Sequence, residues 1–410
     1  MRILLVNKYT KVTGGADRHC LDLASMLSAR GHSVRFLSFK GGRSRELGGA
    51  FVTPTVTHET RDRLSGAERL AVATRAVWNR SAAAAMRRLI SDFRPDVVQA
   101  HKLYPQLSVA PVLVAHAAGV PVVQWAHDYE FVGAHPEDDW GSRVDRLESA
   151  GAYRALNTAT FPVRRLVHAP RVARWLVASR FVRSVYAEHG IDCDVVELFQ
   201  SASEETPPGY ESRRGVLFSG RLTEAKGVRD VIEMAKHAPE LEITLAGIGP
   251  LRRQVEEAAE SLPNLRYEGF VDRATAHRLV QAARVAVVPS RWAEPGGRVA
   301  LEAMAAGTPV VAYPRGGLAE YVSDTGGGLL VAEEPRSLAE SSLRVARDRR
   351  LWDALSSRGQ DGIRRRHSPQ RYMERVEAIY GEVVHPPPGR DLGAPTRSGT
   401  PAHPRGAASR

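Results

Sequence analysis

Two stretches of this chain concentrate residues suited to negative charge and to hydroxyl-rich ligands. The first, Ser219-Gly220-Arg221-Leu222-Thr223-Glu224-Ala225-Lys226-Gly227, follows an apolar β-rich run and opens a helical pattern. Free backbone amides at a helix start attract anions, and here a guanidinium and an ammonium converge on the same turn. A planar fork beside a point charge suits a diphosphate that gathers charge as a bond to it breaks. Alone, such a pattern reads as ordinary surface cations at a strand-to-helix turn.

The second stretch runs Glu294-Pro295-Gly296-Gly297-Arg298-Val299-Ala300-Leu301-Glu302-Ala303-Met304. Glu294 precedes a helix and Glu302 lies within it. Gly296 and Gly297 let the backbone approach a ligand, and the amides around Arg298 and Val299 can donate to phosphate or sugar oxygens. Arg298 either contacts an acidic donor or pairs with a nearby carboxylate. Two Glu at this spacing are by themselves most often a solvated face.

Histidines form a third group. His127 follows the apolar run Val122 to Ala126 and His101 follows Asp96 to Ala100, both at strand ends where open α/β sheets place ligands. A lone His there is more often a structural hydrogen-bonder than a catalyst, and His101 is the weaker, acceptor-side candidate. No third ligand at a recognisable spacing and no DxD motif accompanies them, so no metal is expected.

These residues need elements to hold them. The chain of 410 residues is 43% hydrophobic, enough for two cores, since single cores stop growing at about 250 to 300 residues. Short β-rich runs alternate with amphipathic stretches, the pattern of parallel sheets wrapped by helices. Strands are expected at 2–6, 34–39, 96–100, 121–126, 174–178 and 195–198, then at 215–219, 242–246, 265–268, 285–288, 309–313 and 328–331. A long basic amphipathic helix is expected over 67–93. Residues 1–199 and 215–366 read as two doubly wound domains, 200–214 as a linker, 367–384 as a helix that can return to the first domain, and 385–410 as a disordered Pro/Gly/Arg-rich tail.

The net charge of +11 invites a nucleic-acid reading, but only six of the 57 basic residues are Lys, and no basic stripe with interleaved aromatics turns the charge into readout. Nucleic acid is not expected as a partner. Two cysteines support neither a disulfide framework nor a zinc site. With no apolar run of about 18 residues, the expectation is a cytoplasmic protein. The exposed arginines of the 67–93 helix leave peripheral contact with an anionic membrane open.

In order along the chain, Gly14-Gly15-Ala16-Asp17-Arg18, Arg30-Gly31-His32-Ser33-Val34, His127-Asp128-Tyr129, Ala178-Ser179-Arg180-Phe181-Val182, Gly220-Arg221 with Lys226-Gly227, Ala246-Gly247 with Gly249-Pro250, and Glu294 to Val310 resemble the motifs of the family 4, group 1 glycosyltransferases of the GT-B fold. The resemblance implies two facing Rossmann-like domains, acceptor on the N-terminal one and sugar nucleotide on the C-terminal one, with retaining chemistry in the cleft. It implies that Arg221 and Lys226 grip the donor diphosphate, Glu294 touches the transferred sugar, Glu302 binds the ribose and His127 approaches the sugar. Gly14, Gly15, Gly220, Gly247, Gly296, Gly297, Arg298 and Val299 join the donor-binding set. The donor would be UDP- or GDP-linked and the acceptor a glycan, glycolipid or small molecule, with no cofactor or metal. The family usually has Phe where Gly296 stands and an aliphatic residue where Arg298 stands. The competing reading is an inactive sugar-nucleotide-binding relative or a basic nucleic-acid binder. A Rossmann dehydrogenase is excluded by the lack of a GxGxxG turn after the first strand.

Overall fold

The computed structural model describes residues 1–42, 46–53, 66–133, 151–201 and 206–386. β1 (Arg2–Val6), β2 (Ser33–Phe39), β3 (Gly49–Val52), β4 (Val97–Ala100), β5 (Val122–Trp125), β6 (Arg174–Val177) and β7 (Asp194–Val195) form one sheet in the order β3-β2-β1-β4-β5-β6-β7. β8 (Arg214–Ser219), β9 (Ile243–Ala246), β10 (Leu265–Tyr267), β11 (Ala283–Val288), β12 (Val310–Ala312) and β13 (Gly328–Leu330) form a second, in the order β10-β9-β8-β11-β12-β13. All pairings are parallel. Both sheets are thus Rossmann-like and doubly wound, the GT-B arrangement.

Strand order reverses beside β1 in one sheet and beside β8 in the other. Ligands of open α/β sheets bind beyond the carboxyl ends of the strands at such switch points. The loop carrying Gly14 and Gly15 leaves β1, and the loop carrying Arg221 and Lys226 leaves β8, so both cleft loops stand at a switch point.

Each sheet is buried on two faces. In the first, Leu4, Val6 and Val98 pack with Met86 and Leu89 on one side, while Ile3, Leu5 and Val97 pack with Leu23 and Leu27 on the other. Parallel sheets covered twice read as continuous apolar runs, which is why these strands were legible. The helix Pro369–Val384 seats Tyr372, Met373, Val376, Ile379 and Tyr380 in the second of those layers, so the end of the described chain crosses back to the first sheet.

Three local readings need correction. The stretch 67–93 is two helices, Gly66–Val77 and Arg80–Phe93, because extended Asn79 caps the second and its side chain accepts from the Ala82 amide at 3.0 Å. β7 stops at Val195, since the following backbone turns to the second domain: Leu198 N–H donates to the Tyr321 hydroxyl at 2.9 Å and Gln200 N–H to the His367 carbonyl at 2.8 Å. β3, with a Gly at its start, carried too little periodicity to be expected. Residues 202–205 of the linker and 387–410 of the tail lie outside the described residues.

Candidate active site

The loops after β8 and β9 pack together through glycines at which a Cβ would clash with backbone. Gly227 has φ +70°, and a Cβ there would meet the Pro289 carbonyl oxygen at 1.9 Å. Gly247 has φ +143°, with a Cβ 1.8 Å from the Gly220 carbonyl oxygen. The turn Glu224–Lys226 is pinned to the neighbouring loop by Arg291 N–H and Trp292 N–H, which donate to the Ala225 carbonyl at 2.9 and 3.1 Å. Lys226 Nζ thereby reaches the Glu294 carboxylate, which also accepts from Ser290 Oγ at 2.7 Å. Arg221 is exposed and, among the described residues, forms no ion pair. One free guanidinium and one carboxylate-tethered ammonium therefore face the cleft.

The Glu294 loop is held by three consecutive backbone carbonyls. Tyr129 Oη donates to the Ala293 carbonyl at 2.6 Å, Gly317 N–H to that of Glu294 at 2.7 Å and Ser179 Oγ to that of Pro295 at 2.8 Å. Tyr129 and Ser179 belong to the first domain, so the domains meet at the loop that presents Glu294. A Cβ on Gly317 would lie 2.5 Å from the Pro295 carbonyl oxygen, and one on Gly316 (φ +58°) 2.4 Å from that of Glu294. The Gly316-Gly317 dipeptide, which sequence reasoning missed, is the floor on which the loop rests. At Gly296 a Cβ would meet Leu198 Cδ1 at 2.8 Å; Leu198 fills the space a larger residue would need.

Across the cleft, Gly14 stands at the start of the helix Gly15–Ala29. A Cβ at Gly14 would lie 4.0 Å from Arg221 Nη2, and one at Gly15 would meet nothing within 4 Å. The Gly14 turn therefore stands beside Arg221, next to the loop that holds the Lys226–Glu294 pair. Arg298 begins the helix Arg298–Ala305 and contacts Asp22 of the first domain only at 3.5 Å, with its Nη2 buried and unpartnered among the described residues. Glu302, one turn on, stays open to the cleft while protein crowding raises its carboxyl above the usual range, opposed by Arg298 and Arg18.

The family models agree with this architecture. Residues 13–200 match the model described as Glycosyltransferase Family 4 and residues 201–362 that of Glycosyl transferases group 1. The chain belongs to this glycosyltransferase family. It is 29% identical over 358 residues to the 2-deoxystreptamine N-acetyl-D-glucosaminyltransferase of Streptomyces fradiae, covering 82% of each chain. Among solved structures it resembles the sucrose-phosphate synthase of Thermosynechococcus elongatus (TM-score 0.69, 16% identity, 93% of this chain and 98% of that one). It also resembles Anabaena HepE in complex with UDP (TM-score 0.65, 18% identity, 92% and 99%).

As a glycosyltransferase, the protein carries a second set of cleft residues on its first sheet. His127, half-buried after β5, has its Nε2 at 2.9 Å from Nδ1 of His101. His101 is fully buried, so it touches no acceptor directly and its place in the site is behind His127. His19, on the helix Gly15–Ala29, joins them: nitrogens of His19, His101 and His127 lie within 4.8 Å of one another. This third histidine, absent from the sequence reading, comes from a helix far from the other two in sequence. Burial pushes His101 down to about 3 and, with neighbouring imidazoles and Arg298, takes His19 and His127 well below the ordinary value. Three neutral imidazoles follow.

Charged residues at the neighbouring strand ends complete the wall. Lys102 pairs with Asp128 and reaches Glu130 at 3.6 Å. Burial raises the Glu130 carboxyl, whereas for Asp128 burial is outweighed by Lys102, which holds it low. Lys8, beyond β1, is lowered by burial and by Lys102. Their shared signal was visible: each lies within a few residues of the carboxyl end of a central strand.

Proposed function

We propose that the cleft transfers a sugar from a nucleoside-diphosphate donor to an acceptor hydroxyl with retention of anomeric configuration. The observation that carries the reading is the approach of Arg221 to the Gly14 position, with Lys226 and Glu294 fixed to one side. A diphosphate in that opening accepts from the amides at Gly14 and Gly15 and from both cations. As the bond from the anomeric carbon to phosphate breaks, the charge gathers on the leaving oxygen, where preorganised donors stabilise it most. The acceptor hydroxyl attacks the same face, and its proton passes to the departing phosphate. Arg221 and Lys226 supply the charge for which other transferases use a divalent ion at the diphosphate. Glu294, tethered by Lys226 and Ser290, accepts from the sugar's hydroxyls, and Glu302 accepts from the ribose.

The acceptor lies over Lys8, His127, Lys102, Asp128 and Glu130, a mixed-charge wall suited to a hydroxylated or aminated molecule. The likeness to a transferase acting on 2-deoxystreptamine and to an enzyme solved with UDP supports this reading. Cys20 and Cys193 are buried free thiols, in keeping with a reducing cytoplasm.

The test is a panel of UDP- and GDP-sugars, read by thermal stabilisation and slow donor hydrolysis. A matching donor raises Tm in a concentration-dependent way, by RT ln(1 + [L]/Kd) in free energy, and releases sugar of the donor's own anomeric configuration. Stabilisation by none of them, or release with inversion, contradicts the proposal.

A further inference from the structure

Behind His127 runs a buried line of hydrogen bonds. The Tyr380 hydroxyl, fully buried on the helix Pro369–Val384, has one partner among the described residues, the Gln99 carbonyl oxygen. A buried hydroxyl with a single partner spends its proton there, so it donates, and it fixes which end of the Gln99 amide faces it. The amide nitrogen then points to His101 Nε2 at 3.2 Å. Because an amide nitrogen only donates, His101 Nε2 carries a lone pair and its proton is on Nδ1. That proton meets His127 Nε2 at 2.9 Å. By the same step His127 Nε2 is an acceptor, and the proton of the neutral ring sits on Nδ1, which has no partner among the described residues.

We propose that Gln99 and Tyr380 are positioning residues which, through His101, hold His127 as the Nδ1–H tautomer, so that His127 offers the cleft a fixed neutral donor. The inference rests on reading the cleft as a transferase site. It specifies what His127 does there: Nε2, the ring's one basic nitrogen, is occupied from behind, so His127 donates a hydrogen bond to a sugar or acceptor oxygen and does not take the acceptor's proton. The last described helix, far from the donor loops in sequence, thereby sets a proton position in the cleft. Bonds in such a chain reinforce one another in a low dielectric.

The experiment uses the full-length, tag-free protein labelled with 15N-histidine, with the His127 signal assigned by its loss in His127→Gln. Long-range proton–nitrogen correlation separates a protonated from a bare ring nitrogen. Wild type should show His127 protonated at Nδ1 and bare at Nε2, Gln99→Met should give a mixture of tautomers, and Tyr380→Phe a smaller admixture. In transfer assays Gln99→Met should lower kcat roughly tenfold with the donor KM unchanged, and should add nothing on a His127→Gln background, since both act through one group. A wild-type proton on Nε2, an unshifted tautomer in Gln99→Met, or full additivity of the two variants overturns the proposal. So do cobalt(II) absorption bands that vanish in His19→Gln, because a metal held by the three imidazoles claims the lone pairs differently. The tautomer is read without substrate, so failure of the transfer assay alone falls on the proposed function and leaves the relay standing.

Discussion

The two domains share an architecture and solve the cleft differently. The second domain presents cations on tightly folded loops: glycines at 227, 247, 316 and 317, each with a carbonyl oxygen where a Cβ would stand, pack the chain closely beneath Arg221 and Lys226, and the amides of Gly220, Leu222, Thr223, Lys226 and Gly227 are spent within the domain. The first presents side chains: three imidazoles, two of them at strand ends and His19 on a helix, and the Lys102–Asp128–Glu130 group. In the proposed reaction the diphosphate shared by UDP- and GDP-linked donors meets Arg221, Lys226 and the Gly14–Gly15 turn, whereas the acceptor meets side chains of the first domain.

Acidification should break the comparison most strongly. His19, His101, His127 and His168 are all held low by burial, and all lie in the first domain. Below the ordinary imidazole value of about 6.5 the unfolded chain binds protons that the folded one refuses. Stability is therefore full above that pH and falls as pH drops, by up to about 1.4 kcal/mol per unit for each imidazole. Urea unfolding at pH 7.5 and 5.5, with hydrogen exchange to assign the domains, should show the first domain weakening first.

Arg221→Ala and Lys226→Ala strike the other side. Each should lose about 2–4 kcal/mol of transition-state stabilisation, measured as kcat/KM, with thermal stability unchanged. Near wild-type kcat/KM would remove these residues from the reaction.

The glycines sharpen the contrast further. Gly227→Ala forces a Cβ into the Pro289 carbonyl at positive φ and should cost about 1–3 kcal/mol of stability. Gly15→Ala meets nothing within 4 Å, so it should fold normally and instead weaken donor binding by narrowing the cleft. Thermal melts with and without donor separate the two.

The smallest effect concerns the exposed face of the helix Arg80–Phe93. Its apolar side, with Met86, Leu89 and Phe93, is buried on the first sheet, which leaves Arg80, Arg87 and Arg88 exposed and no free apolar face there to enter lipid. Replacing the three with Gln should change stability by less than about 0.5 kcal/mol. Pelleting with anionic but not neutral vesicles, abolished by the same variant, would establish a purely electrostatic membrane contact.

The fold was legible because strands buried on both faces must be apolar along their length, and glycines that end β-runs mark turns. The turn carrying Arg221 and Lys226 was legible as a strand-to-helix connection, with its residues contiguous in sequence. The histidine cluster was only half legible. His101 and His127 announce themselves at strand ends, but His19 looks like one more residue on an amphipathic helix, and Gln99 and Tyr380 look like core. Their roles arise from juxtaposition across layers, which no local pattern encodes. Tyr129 and Ser179 stood in recognisable motifs, yet their grip on the Glu294 loop became visible only with both domains in place.

The proposed transfer requires that the cleft between Gly14–Gly15 and Arg221–Lys226 hold a diphosphate. Calorimetric titration of the wild-type protein and of the Arg221→Ala, Lys226→Ala double variant with a nucleoside diphosphate and the matching monophosphate tests it directly. Wild type should bind the diphosphate at least about tenfold more tightly than the monophosphate, the equivalent of 1.4 kcal/mol, and the double variant should lose this preference while still folding. Equal affinity for the two nucleotides in wild type, or a preference that survives in the double variant, would contradict it.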